Sequence, residues 1–360
     1  MNSKNKKTIL IIYDTFSAKE LLDDPSLEYT PEEAHAEIAD VRLGVKNICD
    51  VLKNGGYDVR TLGLRYVNSK IISKIEKINP DAIFNLCESL YDKAKNEVYV
   101  AGLFELLKIP YTGAPPFALA VALNKFKTKQ ILRAAGLPTP ASILTIKDQP
   151  ISLAGLNPPY IIKPIREDAS AGITSRSVVR TKEEVEARVK LIHNTYNQPA
   201  LVEEYIDGRE INVSIMGNGE PKVLAVGEIL FGKMPKGEPR IISYQAKWDP
   251  SSPLYAATEQ SYPAQLDEKT RIKIGKIGLQ AYKEIGCRDY GRIDMRMRAD
   301  GKVFILEVNP NPAISPDDGF ERAAGVAGIS YNEMLCKIVS YALARSSRKT
   351  LKEIDIKSVI

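Results

Sequence analysis

The stretch GRIDMRMRADGKVFILEVNPNP, Gly291 to Pro312, holds two apolar-rich runs on either side of Asp300-Gly301, and each run carries an acidic residue. Asp-Gly between two strand-like runs signals a two-residue hairpin loop. That loop sets Ala299 opposite Lys302, Asp294 opposite Glu307 and Arg292 opposite Asn309. Alternate side chains share a face. Arg292, Asp294, Glu307 and Asn309 then form one polar square. Ile293, Met295, Met297, Phe304, Leu306 and Val308 form the apolar face. Opposed carboxylates repel, so something compensates them. Arg292 could do it as an ion pair. A divalent cation is the sharper reading, because Asp, Glu and Asn offer hard oxygens and Mg²⁺ takes a few such ligands together with phosphates.

Outward from the hairpin, the chain is ordinary for a globular protein. It has 360 residues, 44% hydrophobic and 26% charged, a length that suggests two or three domains. The net charge of +5 is a mild excess. No dense basic block with interleaved aromatics occurs, so nucleic-acid binding is not indicated. Cys49, Cys87, Cys287 and Cys336 are far apart, against both a zinc site and a disulfide scaffold. His35 and His193 are the two histidines, and neither lies near a nucleophile motif of the Ser-His or Cys-His type. The apolar run near Met1 is short for a signal peptide and no stretch reaches membrane-span length. A cytoplasmic protein with no membrane partner is expected.

The first third alternates strand and helix. TILIIYD (8–14), YDVRTLGL (57–64) and DAIFNLCE (81–88) read as strands, with a helix from about Glu33 to Lys53 and another ending near Ile78. This order predicts an α/β open parallel sheet with helices on both faces, and ligands beyond the carboxyl ends of its strands, near Asp14 and Glu88. Pro115-Pro116 marks a change of pattern. A helix with Lys125, Lys127 and Lys129 follows, then a strand ending at Lys163 and the small-residue loop REDASAGI, which could close over phosphates. Thr181 and Glu184 give a capping box before another helix. ALVEEYIDGREINVSIM (200–216) reads as strand, turn and strand. The expected organisation is 1–120 as a parallel α/β domain, 121–208 as a small α+β unit, 209–345 as a larger one carrying the hairpin, and 346–360 as a charged tail.

Lysines, lid, the acidic pair Glu203 and Glu210, and the hairpin together describe an ATP site, although each alone reads as solvated surface. Over roughly 80–345 the chain resembles the ATP-grasp superfamily and, within it, the D-alanine–D-alanine ligase group. The matching stretches are FNLCE, KIPYTGAPP, LNKFKTKQILRAAGLPTP, YIIKPIREDASAG, LVEEYIDGREINVSIM and GCRDYGRIDMRMRADGKVFILEVNPNP. The resemblance implies two α+β subdomains that clasp ATP behind an acid-binding N-terminal domain. It implies nucleotide contacts at Lys125, Lys163, Glu203, Glu204, Glu210 and Lys247. It implies Mg²⁺ (or Mn²⁺) on Asp294, Glu307 and Asn309, and catalytic roles for Arg292 and the lid residue Ser170. Small-molecule carboxylate and amine partners follow, and a homodimer is allowed.

Departures from that group fall in the substrate subsites. The N-terminal stretch that holds the first amino group in those ligases is missing, and Glu37 or Asp40 would stand in, with Glu88 also expected at the substrate. Trp248 replaces the tyrosine after the Ala-Lys pair, Asp168-Ala169-Ser170 replaces the lid's Gly-Ser-Ser, and Asp318-Gly319 replaces the Ser-Leu pair at the second substrate's carboxylate. The expectation is an ATP-dependent carboxylate–amine ligase acting through an acyl phosphate on something other than two D-alanines. The alternatives are a true D-alanine–D-alanine ligase and a nucleotide-binding module without turnover.

Overall fold

Buried β-branched and leucine-rich runs give the first sheet. The computed structural model describes residues 6–15, 31–91, 93–249 and 251–346. In it β1 (Thr8–Asp14) is flanked in parallel by β2 (Asp58–Leu64) and β3 (Ala82–Leu86), in the order β2-β1-β3. Ile9, Leu10, Ile11 and Ile12 are all fully buried, which is what a parallel strand covered on both faces requires. On one face lie the helix Glu97–Leu106 and its neighbours, where Leu10 and Ile12 meet Val100, Ala101 and Phe104. On the other, Ile9, Ile11 and Phe84 pack against the helix Pro31–Asn54 and, from the far end of the chain, Met334, Leu335, Ile338 and Val339 of the helix Tyr331–Ser346.

A second sheet is antiparallel and holds β4 (Ser142–Thr145), β5 (Tyr160–Pro164), β6 (Val178–Val179) and β7 (Ala200–Glu204) in the order β4-β7-β5-β6. The helix Lys182–Tyr196 covers it, opened by the capping box of Thr181 and Glu184. The third sheet runs β10-β9-β8-β11-β12, from β8 (Arg209–Gly217), β9 (Lys222–Leu230), β10 (Glu259–Ser261), β11 (Asp289–Met297) and β12 (Val303–Asn309). Tyr205 to Gly208 link β7 to β8 across two different sheets. Gly208, at φ 145°, lies so close to the Met297 carbonyl that a Cβ would meet it at 2.1 Å. Residue 120 falls inside the helix Pro116–Leu123.

The β11–β12 hairpin differs from its expected form in an informative way. Arg298 and Lys302 pair through the backbone around a three-residue loop with Gly301 at φ 75°. Near the turn the register is therefore one residue off expectation: Met297 faces Val303 and Met295 faces Ile305. A bulge at Leu306 then restores it, so Arg292 still faces Asn309 and Asp294 still faces Glu307. A bulge of this kind turns the strand's face. Val303 and Ile305, not Phe304 and Leu306, are the buried residues. Phe304 instead lies beneath the Arg298 guanidinium, 5.3 Å from its ring centre.

Candidate active site

Three adjacent strands present one polar face. β8 supplies Glu210, Asn212 and Ser214, β11 supplies Arg292, Asp294 and Arg296, and β12 supplies Glu307 and Asn309. Arg292 grips Asp294 with two hydrogen bonds of 2.8 Å, Nε to Oδ1 and Nη2 to Oδ2. Asn212 and Asn309 donate to the same carboxylate at 2.6 and 2.7 Å. Burial pushes the Asp294 carboxyl up, but the Arg292 charge and these donors outweigh it and hold it below the usual range. One strand over, Arg296 pairs with Glu210 at 2.7 Å.

Asp294 and Glu307 with the Asn309 amide form a hard-oxygen set at directly opposed positions of one hairpin. No group of three His, Cys, Asp or Glu side chains gathers for a metal among the described residues. Two carboxylates and an amide suit a cation that shares its coordination sphere with phosphates, the usual habit of Mg²⁺. The donor set therefore fits the expected metal.

Lysines approach this face from three directions. Lys125 opens the helix Lys125–Ala134, whose N-cap is Asn124. It is 6% exposed, donates to the Glu167 carbonyl, and comes within 3.9 Å of Glu307 and 3.8 Å of Asp168. Lys163 stands near the end of β5, 2.5 Å from Glu203. Lys247 is exposed, its Nζ 4.9 Å from the Trp248 ring centre, with protein crowding it. That crowding and then the Arg292 charge draw its pKa down, with Glu88, Glu307 and Asp294 acting the other way.

The lid REDASAGI folds back on itself, with Ala169, Ser170 and Gly172 at φ 53°, 65° and 73°. Ser170 Oγ donates to the Ile242 carbonyl at 2.9 Å, and the Trp248 indole donates to the Ala169 carbonyl at 2.9 Å. Trp248 thus ties the loop 166–173 to the helix Tyr244–Trp248.

At the carboxyl ends of β1 and β3 lies a different group of acids. Asp14 is 7% exposed and accepts the Glu88 amide at 2.9 Å. Burial first, and the Glu88 charge besides, push it up to about 7. Burial and then Glu88 also lift Glu97 well above its ordinary value, against an Asn311 amide at 2.9 Å. Among the described residues, no lysine or arginine pairs with Asp14 or Glu97.

Not every expected residue joins the site. Glu204 faces away from Glu203 and accepts the Asn157 backbone and side-chain N–H groups at 2.8 and 2.9 Å. Asp40 lies in the helix Pro31–Asn54, but its side chain is outside the described residues, as are residues 347–360 of the expected tail. Asp318 stands at the N-cap of the helix Gly319–Val326 without capping it through its side chain. Its carboxylate accepts the Ser315 amide at 2.8 Å and feels Arg292 and Lys247, while burial pushes its pKa up. Gly319 beside it packs so tightly that a Cβ would lie 2.6 Å from the Tyr262 hydroxyl. Sequence reasoning missed Asn212, although the period-2 polarity of Glu210, Asn212 and Ser214 signals it. It also missed the burial of Lys129 behind Glu203.

Two antiparallel sheets, one bringing Lys163 and the other a carboxylate hairpin, with Lys125 and Lys247 added from helices, define an ATP-grasp ligase. The profile described as D-ala D-ala ligase C-terminus matches residues 133–340, and the chain belongs to the D-alanine–D-alanine ligase family. It is 32% identical to an uncharacterized protein, y4sG, of Sinorhizobium fredii over 73% of this chain and 75% of that one. It is 31% identical to a D-alanine–D-alanine ligase of Desulforamulus reducens over 75% of this chain and 84% of that one. A crystal structure of the Bacillus anthracis D-alanine–D-alanine ligase complexed with ATP shares the fold, with a TM-score of 0.70 and 21% identity over 96% of this chain and 100% of that one. Among the described residues no helix is long and apolar enough to cross a membrane.

Proposed function

We propose that the protein joins a carboxylic acid to an amine other than D-alanine at the expense of ATP, through an acyl phosphate. What supports this choice of amine is Asp318, which the resemblance sets where those ligases carry a hydroxyl, and whose carboxylate accepts the Ser315 amide at 2.8 Å and feels the Arg292 and Lys247 charges. A carboxylate there repels a free α-carboxylate and attracts a cation or a neutral donor.

The chemistry follows from the charges. A carboxylate is a poor electrophile. Its oxygen attacks the γ-phosphorus, the bond to the β-phosphate oxygen breaks, and ADP departs. Lys125, Lys163 and Lys247 offset phosphate charge during this transfer. Mg²⁺ on Asp294, Glu307 and Asn309 would neutralise β- and γ-phosphate oxygens when bound. The amine nitrogen then adds to the acyl carbon, Arg292 stabilises the oxyanion, and phosphate leaves as the nitrogen loses a proton. The lid keeps water from the acyl phosphate. Glu203, Glu204 and Glu210 are proposed for the adenosine end, Ser170 for the lid's contact with the reacting groups, and Glu88 and Asp40 for the acid.

The second reading, joining of two D-alanines, is favoured by the printed name of relatives such as that of D. reducens. ADP release is the deciding assay, with a panel of acids offered D-alanine, uncharged amines or cationic amines. Turnover with amines lacking an adjacent carboxylate, and gain of D-alanine use in Asp318→Ser, are expected. Efficient D-alanyl-D-alanine synthesis by the wild type would overturn the proposal. ATP binding with no turnover on any acid–amine pair would leave a nucleotide-binding module.

A further inference from the structure

Lys129 is one turn beyond Lys125 on the same helix face, yet the mechanism above gives it nothing to do. It is 1% exposed, among the most deeply buried charges of the molecule. Its Nζ lies 2.8 Å from Oε2 of Glu203, and Lys163 Nζ lies 2.5 Å from Oε1 of the same carboxylate. Glu203 is 0% exposed. One buried carboxylate thus has two ammonium partners, where neutrality asks for one.

The two lysines differ in freedom. Lys129 also donates to the Thr139 hydroxyl at 2.9 Å, which in turn donates to the Ile305 carbonyl at 2.9 Å. The Ile305 amide returns a bond to the Pro138 carbonyl at 2.8 Å. Ile305 lies on β12, beside the bulge that brings Glu307 opposite Asp294. Lys129 is therefore pinned on one side to Glu203 and on the other to the hairpin. Lys163 stands near the end of β5, next to the lid, and is 9% exposed.

We infer that Lys129 is the fixed counter-ion of Glu203, and that its presence frees Lys163 to move to the nucleotide's phosphates. The inference rests on the nucleotide reading given above. A buried carboxylate stripped of its only cation is costly. With Lys129 in place, Lys163 can leave without stranding Glu203. Lacking it, each phosphate contact by Lys163 would strand a buried charge. The placement of Glu203 agrees: burial pushes its carboxyl up, but the Lys129 and Lys163 charges together bring it down to about 2, and Lys129 is the first of the two. Lys129 is a positioning residue, acting through Glu203 and not on the nucleotide.

The test is a double-mutant cycle read by calorimetry with ATP. Lys129→Met should weaken ATP binding ~10-fold or more, the usual scale for a charged contact. In the E203Q background the same substitution should change ATP affinity little, since no buried carboxylate is left for Lys163 to strand. Lys129→Arg should bind ATP near the wild-type level. Wild-type affinity in K129M, or an equal loss from K129M with and without E203Q, would overturn the inference, the latter assigning Lys129 to packing alone. Should K129M fail to fold, E203Q and K129M/E203Q carry the test: equal ATP affinity supports the inference and a further loss in the double variant overturns it. Lys163→Ala separates the levels. Unchanged ATP affinity there would overturn the nucleotide reading itself, whereas failure in K129M alone would leave that reading standing.

Discussion

The hairpin of the third sheet and the strand ends of the first sheet both gather carboxylates, and they treat them oppositely. Asp294 lies under a bidentate arginine and two amide donors and is held ionised. Asp14 and Glu97 have backbone and amide donors, negative neighbours, and upward-shifted pKa values. The first arrangement holds a carboxylate ionised beside its arginine. The second resists ionisation, and in it Asp14 is raised to about 7. The count of acids is similar; the difference lies in whether a guanidinium shares the strand face.

Substitutions can break this contrast. The largest effect is expected at Glu307, which is partly exposed and makes no ion pair tighter than 3.9 Å. Glu307→Gln should lower Mg²⁺-dependent turnover by at least ~100-fold, the scale of several kcal/mol of lost charge stabilisation, while the melting temperature barely moves. Full activity in that variant would reduce the hairpin to an ion-pair cluster.

Next in size, Lys163→Ala should raise the ATP dissociation constant by ~10-fold or more, with a smaller effect on acid binding. Calorimetry showing equal ATP affinity would remove Lys163 from the site.

The strand-end acids yield a stability prediction of known sign. Asp14 is raised from 3.8 to about 7, so the folded state prefers its proton. Stability from that proton is full below the unfolded pKa and is lost as pH rises through about 7. Asp14→Asn should therefore stabilise the protein, little near pH 4 and most above pH 7, with an upper bound of about 4 kcal/mol. Thermal melts at pH 5 and pH 8 compare the two directly. A gain that is equal at both would show that Asp14 is already ionised in the folded protein.

The smallest effect concerns the lid, whose Asp168 lies 3.8 Å from Lys125 and also adds negative charge near Glu97. Trp248→Phe removes one hydrogen bond to the lid, worth about 1 kcal/mol. Hydrogen exchange over 166–173 should quicken several-fold, and in the wild type it should slow when ATP and Mg²⁺ bind. Equal exchange with and without nucleotide would make the loop a fixed turn.

The hairpin was legible because strands write a period of two into the chain and Asp-Gly marks where it turns. Its loop length was not, since Asp-Gly serves two- and three-residue turns alike; the bulge at Leu306 hid the error for Asp294 and exposed it at Phe304. The parallel first sheet was legible from runs such as ILII. The meeting of Lys129 with Glu203 was not, because 74 residues separate them and two buried ions leave no periodic mark. Neither was the Trp248 bond to the lid, which depends on where a loop folds back.

The helix Tyr331–Ser346 covers the inner face of a sheet whose first strand begins at Thr8, and its Arg345 grips Asp289 at 2.6 and 2.7 Å and reaches the Tyr111 carbonyl. On the ribosome, then, the first sheet is complete at Leu86, 245 residues before its cover begins at Tyr331. Ile9, Ile11 and Phe84 must wait, half-sheltered by the helix Pro31–Asn54, until translation has passed residue 345. The nascent chain cannot complete its parts in order of synthesis, and holding that apolar face out of reach of other chains is a task the cell performs before this protein performs any of its own.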